Sequence, residues 1–301
     1  MRVLLIHNPK ATTTSAELVE LIVGALASDC ELEVAPTKRR DHAGYLAAGA
    51  VHEGHDAVVV LGGDGTVNEV VQGLARTPVR LGIIPGGSTN VLARLLGLTA
   101  DPVTATGRLR SALREGRSQR ISLGRAGERW FCFNAGIGFD ADVVHRVEAR
   151  TGLKRAVRQA TFLYCGVQSW AGGYDRGARL AVSGDDGTTV EELRALVACN
   201  ADPYTYLGDR PARLCREADL AGGLDAFGLR TLALVPLLRV ARAALTDRDP
   251  LRLKATTGWH DQSTLTVTAD RPVPVQVDGD PLEPTTRLEL TAVRQALDVL
   301  V

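Results

Sequence analysis

No CxxC pair occurs in this chain, and its cysteines follow no regular spacing. The five, Cys30, Cys132, Cys165, Cys199 and Cys215, are scattered and odd in number. That pattern argues against a disulfide framework or a zinc site and predicts reduced core thiols in a cytoplasmic protein. Charge of one sign is not in excess either: 35 Lys and Arg stand against 35 Asp and Glu. A general nucleic-acid binder is therefore not expected. No run of about 18 apolar residues occurs, so no helix is expected to span a membrane. Met1 leads straight into the strand-like residues 2–7, and no signal peptide is expected. The common phosphate-handling signatures are missing: there is no GxxxxGK[ST] loop and no HRD or DFG set. No GxSxG or Ser-His-Asp arrangement points to a hydrolase, and His260-Asp261 reads as a lone pair in a turn. Methionine occurs once while glycine occurs 31 times. The glycines carry the first positive signal.

Residues 58–74 read VVVLGGDGTVNEVVQGL. The apolar, β-branched start is a buried parallel strand. Gly62, Gly63 and Gly65 make a turn. Val67, Val70, Val71 and Leu74 then recur at the spacing of one helix face. A strand, glycine turn and helix in this order can bring bare backbone and free N–H groups to a phosphate. Asp64 inside the turn would repel a bare phosphate and makes sense beside a Mg²⁺ ion. Thr66 and Asn68 add uncharged hydrogen-bonding groups. The plainer alternative is a tight βα turn with Asp64 or Thr66 as helix cap. The grammar then repeats: LGII, the turn PGGSTN with Gly86, Gly87, Ser88, Thr89 and Asn90, and the helix-like VLARLLGL. Two such turns at the ends of consecutive strands face one crevice in an open α/β sheet.

These two motifs resemble the catalytic domain of the diacylglycerol kinase family, which includes bacterial lipid kinases and is related to sphingosine and ceramide kinases. The resemblance implies ATP and Mg²⁺ as cofactors, with the nucleotide on Asn8, Thr37, residues 62–66, Asn68, Glu69 and residues 86–90. It makes Asp64 a catalytic residue and the carboxylate nearest the metal, directly or indirectly. Hydroxyls at Thr12, Thr13, Thr14 and Ser15 are further phosphate or ribose candidates. Ser15 reads equally well as a helix cap.

The chain has room for two domains. Strands alternate with helices (16–27, 41–53, 89–96, 102–115) up to about residue 117, which predicts a doubly wound parallel α/β domain. Beyond it, strand-like segments crowd together at 121–124, 130–134, 179–183, 192–200, 224–229, 251–256, 265–268 and 273–277. They predict a mainly antiparallel β domain with helical insertions near 140–172 and 234–246. In the family the last strand returns to the first domain. The expected division is therefore 1–118 with 287–301, and 119–286. Asn134, Gly136 and Gly138 resemble a family segment facing the interdomain cleft, and Asp140 and Asp142 read as cleft or helix-start residues.

Residues 276–282, QVDGDPL, read as a strand delivering Asp278 and Asp280 to a turn. Alone, this is an Asp-Gly hairpin. Phosphoryl transfer to an alcohol needs a base at the hydroxyl. The segment resembles the family's Asp-Gly-Glu motif, whose acidic pair has that role. Asp278 matches directly, while Asp280 replaces a Glu. Two further departures are Val91, where the family often has Asp, and Gly222, where many bacterial members have an Asp that binds a structural cation. Loss of that ligand predicts an absent structural site, unless Asp219 or Asp225 substitutes.

The function expected is an ATP-dependent lipid kinase, converting diacylglycerol to phosphatidic acid. The alternatives are a sphingoid or ceramide kinase, an NAD kinase-like enzyme, and a non-catalytic lipid- or nucleotide-binding protein. The partner is a lipid, met by peripheral contact at the inner membrane surface, and a homodimer is left open. Two stretches are candidates for that contact: Arg146, Arg150, Lys154 and Arg158 at four-residue spacing, and residues 234–245 with Arg239 and Arg242, followed by Arg248, Arg252 and Lys254.

Overall fold

A computed structural model describes residues 1–9, 15–148, 172 and 178–301. Thr12, Thr13, Thr14, Cys165, Arg150, Lys154, Arg158 and most of the expected 140–172 helical stretch lie outside the described residues. The chain divides into two compact units, Met1–Leu123 with Arg294–Val301, and Gly124–Val293.

The first unit runs β1 (Arg2–His7), α1 (Ala16–Ala27), β2 (Glu31–Pro36), α2 (His42–His52), β3 (Ala57–Gly62), α3 (Asp64–Leu74), β4 (Arg80–Pro85), α4 (Val91–Leu95) and α5 (Pro102–Glu115). The strands lie in the order β4-β3-β1-β2, all parallel. Every residue of β3 is buried, as expected for a strand covered on both faces. Val3, Leu5, Val59 and Leu61 pack on α1 and α5 through Ile22, Leu26, Leu109 and Leu113. The alternate residues Leu4, Ile6, Val58 and Val60 are buried on the other face, where α2 and α3 pack. Glycine sets the approach of that helix pair: a Cβ on Gly73 would lie 2.7 Å from Gly44 O. Ser15 caps α1 by accepting from Leu18 N at 3.2 Å. The cap reading of Ser15 therefore describes its local geometry.

The second unit contains β6 (Arg129–Phe131), β7 (Asn134–Gly138), α6 (Phe139–Glu148), β8 (Leu180–Gly184), β9 (Thr189–Leu193), β10 (Ala195–Cys199), β11 (Thr205–Leu207), β12 (Arg210–Ala212), β13 (Leu224–Leu229), α7 (Leu234–Ala244), β14 (Thr256–Gln262) and β15 (Thr264–Val277). Two strands are shared between the units: β5 (Ser118–Ala126) and the long β16 (Asp280–Leu300). In the second unit the order β14-β13-β10-β7-β15-β16 is antiparallel throughout. In the first unit the end of β16 joins β4 in parallel, with Val299 opposite Leu81.

Several local expectations give way to longer-range pairing. Residues 130–134 are not one strand. The ladder stops at Phe131 because the N–H groups of Cys132 and Phe133 turn to the Asp278 carboxylate. Residues 134–138 form β7, hydrogen-bonded by β10 and β15. The 192–200 strand is broken near Glu192, whose φ is 63°. In place of a strand at 251–256 there is a 3-10 turn, Pro250–Arg252, capped by Asp249. Residues 265–268 and 273–277 belong to the single strand β15. His260 and Asp261 lie within β14, not in a turn, and His260 Nδ1 is 2.8 Å from Asp225 Oδ1.

Candidate functional site

Parallel register brings the candidate nucleotide residues of the first unit to one sheet edge. His7 is level with Pro36 and with Leu61, and Gly62 with Pro85. The residues that follow therefore share that edge: Asn8, Thr37, the first glycine turn and the second. Asn8 N donates to Leu61 O at 3.2 Å, and its side-chain amide is 3.5 Å from Thr66 Oγ1. Thr37 N donates to His7 O at 2.9 Å. Sequence reading missed His7, whose burial holds its imidazole below the ordinary pKa.

The two glycine turns pack backbone against backbone. Gly86 N donates to Gly62 O at 2.8 Å. A Cβ on Gly87 would lie 2.7 Å from Gly63 Cα, and one on Gly63 would lie 3.2 Å from Gly87 Cα. Asn90, in the left-handed region at φ 51°, closes the second turn. Its Oδ1 accepts from Gly87 N at 2.9 Å and its Nδ2 donates to Gly87 O at 2.8 Å. Gly65 differs: a Cβ there meets nothing within 4 Å. It lies in the first turn of α3, whose N-cap, Gly63, supplies no side-chain cap. Uncapped N–H groups and open space at a helix start suit an anion. Asp64 is part-exposed, while Thr66 and Asn68 are buried. Ser88 is exposed and Thr89 half-buried. Glu69 faces elsewhere: its carboxylate accepts from Ala43 N at 3.1 Å, in the first turn of α2.

Asp64 is the one carboxylate in either turn. Mg²⁺ commonly takes one or two carboxylates together with substrate phosphates, and this donor set fits that pattern. Among the described residues, Glu33, Glu53 and His55 bring three ligand atoms within 4.8 Å of one another, but Arg2 already pairs with Glu33 at 3.0 Å.

In the second unit, Asp278 and Gly279 form the two-residue loop between β15 and β16, with φ of 48° and 87°. Two positive φ values give the primed turn that suits a hairpin, and Asp-Gly is its common sequence. The Asp278 side chain folds inward. It accepts from Cys132 N at 2.6 Å, Phe133 N at 3.0 Å and Asn134 N at 3.1 Å. Asp280 remains part-exposed, with Arg129 3.6 Å away.

A polar network adjoins this turn. Tyr204 OH donates to Asp140 Oδ1 at 2.7 Å, and Gln276 Nε2 donates to Asp140 Oδ2 at 3.0 Å and to Asn134 Oδ1 at 2.9 Å. Asn134 Nδ2 donates to Tyr204 O at 3.1 Å. Gly136 makes room: a Cβ there would lie 1.9 Å from Asp140 Oδ2. Burial raises the Asp140 carboxyl above its ordinary pKa, against the bonds from Tyr204 and Gln276. Burial, then the neighbouring Asp140, pushes the Tyr204 phenol well above its own. Tyr204 escapes sequence reading because it belongs to no motif, and Gln276 because its stretch is read for the two acids alone.

Residues 2–126 match the family model for the diacylglycerol kinase catalytic domain. This segment is similar to that family's catalytic domain. The match covers β1 through β5, including both glycine turns. A Pseudomonas putida protein named "Probable lipid kinase YegS-like" is 28% identical, over 93% of this chain and 88% of its own length. A Staphylococcus aureus diacylglycerol kinase is 32% identical over 43% of this chain, and the alignment spans 41% of that relative's length. A crystal structure of a diacylglycerol kinase from Bacillus anthracis str. Sterne shares the fold at a TM-score of 0.74, with 19% identity, covering 99% of this chain and 96% of that one.

The segment around Asp219 and Asp225 is held by hydrogen bonds to its own backbone. Asp219 Oδ1 accepts from Ala221 N and Gly222 N at 2.7 and 2.8 Å. Asp261 Oδ1 accepts from Gly223 N at 2.6 Å, and Asp225 Oδ1 from Asp261 N at 2.9 Å. These carboxylates meet backbone N–H groups and His260.

Proposed function

We propose that the protein is an ATP-dependent lipid kinase that phosphorylates the hydroxyl of diacylglycerol to give phosphatidic acid. The observation that carries this reading is the Gly65 position: an uncapped helix start with open space, beside Asp64, at the edge where four parallel strands end. In this reading the N–H groups of the α3 start hold phosphate oxygens. Asn8, Thr37, Ser88 and Thr89 contribute hydrogen bonds to the nucleotide. The Gly86-Gly87-Asn90 turn is a strut that keeps the first turn in shape. Asp64 would hold Mg²⁺, which would supply neutralisation of the phosphate charge.

The proton of the attacking hydroxyl goes to the acid pair of the hairpin turn. Three backbone N–H groups bind Asp278, whereas Asp280 is part-exposed with Arg129 beside it. Asp280 is the base in this reading, and Asp278 is the positioning residue that fixes the turn. Asn134, Gly136 and Asp140 support the same turn through Gln276, whose Oε1 accepts from Gly279 N at 2.9 Å.

The test is incubation with Mg-ATP and, separately, diacylglycerol, sphingosine, ceramide and NAD. Labelled phosphatidic acid is the expected product. Labelled sphingosine or ceramide phosphate alone would move the acceptor to a sphingoid lipid. Nucleotide binding with no labelled lipid would overturn the kinase reading.

A further inference from the structure

Helix α7 is apolar on two faces. Leu237, Val240, Ala243 and Ala244 turn toward the second unit, with Val240 in its core and Leu237 packed against it. The opposite face carries Leu234, Val235 and Leu238, exposed by 47%, 56% and 60%, and Leu245 continues it at 42%. At 100° per residue, Leu234, Leu238 and Leu245 form one stripe, and Val235 and Arg242 lie beside it. A helix on a water-facing surface ordinarily turns polar residues outward. Four of the ten exposed large apolar residues in the described chain fall within this one short stretch.

The charge around that face is one-sided. Residues 230–254 hold Arg230, Arg239, Arg242, Arg248, Arg252 and Lys254 against only Asp247 and Asp249, in a chain of zero net charge. Both carboxylates lie beyond the helix. Asp249 is engaged in capping the 3-10 turn, accepting from Leu251 N at 2.9 Å, and it pairs with Arg252. Arg239 and Arg242 are exposed on the helix among the leucines.

We propose that this face docks the protein on an anionic lipid bilayer. The leucines and Val235 enter the boundary between headgroups and acyl chains. The arginine stems lie along them and carry the guanidinium groups up to the phosphates. A second copy of the chain fits less well. A two-fold contact would set Arg239 and Arg242 against the same residues of the other copy, with no carboxylate on the face to answer them. The inference rests on the lipid-kinase reading only for why such a surface is needed; the surface itself is read from the helix.

The experiment is flotation of the full chain, without nucleotide, on vesicles of phosphatidylcholine with phosphatidylglycerol and on vesicles of phosphatidylcholine alone. Binding should require phosphatidylglycerol and weaken with salt. The Arg239→Glu, Arg242→Glu variant should bind at least about 25-fold more weakly, since each cation near an anionic surface is worth about fivefold. Val235→Asp with Leu238→Asp should also lose binding, while Tyr45→Asp, an exposed site on the first unit, should not. Both α7 variants should still phosphorylate a short-chain lipid dispersed in detergent. Vesicle binding unchanged in both would overturn the docking face. So would a wild-type dimer on light scattering that the aspartate variant dissolves. Vesicle binding that needs α7, in a protein that phosphorylates no lipid, would keep the docking face and sink the kinase reading instead.

Discussion

In the proposed reading Asp278 and Asp280, two residues apart, have different roles. Asp278→Asn would turn an NH₂ group toward backbone N–H donors. Leaving buried polar groups unmatched costs about 1–3 kcal/mol. This variant should lower the urea midpoint as well as the rate. Asp280→Asn should leave stability within about 1 kcal/mol, since its ion pair with Arg129 is part-exposed. Its rate should fall roughly 10²–10⁴-fold, the usual worth of a positioned base. Paired urea melts and turnover measurements check both, and a stable, fully active Asp280→Asn would remove that residue from catalysis. Asp140 supplies a pH signature. Its pKa is raised in the folded state by burial, so the folded protein holds that proton more tightly than the unfolded chain. Stability from this group is therefore complete below the ordinary Asp value and is lost as pH rises through the raised one. Urea melts across that window should show Asp140→Asn with a flatter pH dependence than wild type. Identical slopes would mean that Asp140 is not buried in this way.

The glycine turns are legible as an element but not in their division of labour. All their glycines look alike in the sequence. In the structure Gly63, Gly86 and Gly87 allow one turn to touch the other, and only Gly65 faces open space. Gly63→Val should therefore unpack the pair of turns and destabilise the first unit, by about 1–3 kcal/mol as overpacking usually does. Gly65→Ala should leave stability unchanged or raise it by up to about 1 kcal/mol, the helix-propensity difference. It should nonetheless weaken ATP binding, because its methyl group would stand where the phosphate is proposed to lie. Calorimetric titration alongside thermal melts separates the two variants; normal ATP affinity in a stable Gly65→Ala would sink the cradle. At the second-unit site, the GxG spacing of Gly136 and Gly138 was visible. Its reason was not, because Asp140 and Gln276 crowd Gly136 only after β7 and β15 pair.

Across the whole molecule, the first unit is completed by residues from the far end of the chain. Leu297, Val299 and Leu300 are 1%, 0% and 2% exposed in that unit. Each buried side chain of this size is worth about 1.5–3 kcal/mol. A chain ending at Val293 would lose an amount comparable to the whole stability of an ordinary domain. It should therefore fail to fold its first unit. Limited proteolysis should show residues 1–123 degraded, and a protected segment would disprove the dependence. The expected boundaries at 118 and 287 differ from the observed ones at 123 and 294 because β5 and β16 run through the junctions without a break in composition.

Short-range pattern was enough for the parallel strands, their helices and the two glycine turns. In each of these the residues that make the element also make its packing face, a few positions apart. The strand-rich character of the second unit was legible for the same reason. Strand limits there were not. Cys132 and Phe133 leave their ladder for a carboxylate at position 278, and His260 joins a strand beside Asp225. Likewise, the sequence marks two acids as candidates and favours Asp278, which matches the family motif directly. Three N–H groups from residues 132–134 bind Asp278. Those partners lie far along the chain from Asp278, and a hydrogen bond closed over that separation leaves no trace in local spacing.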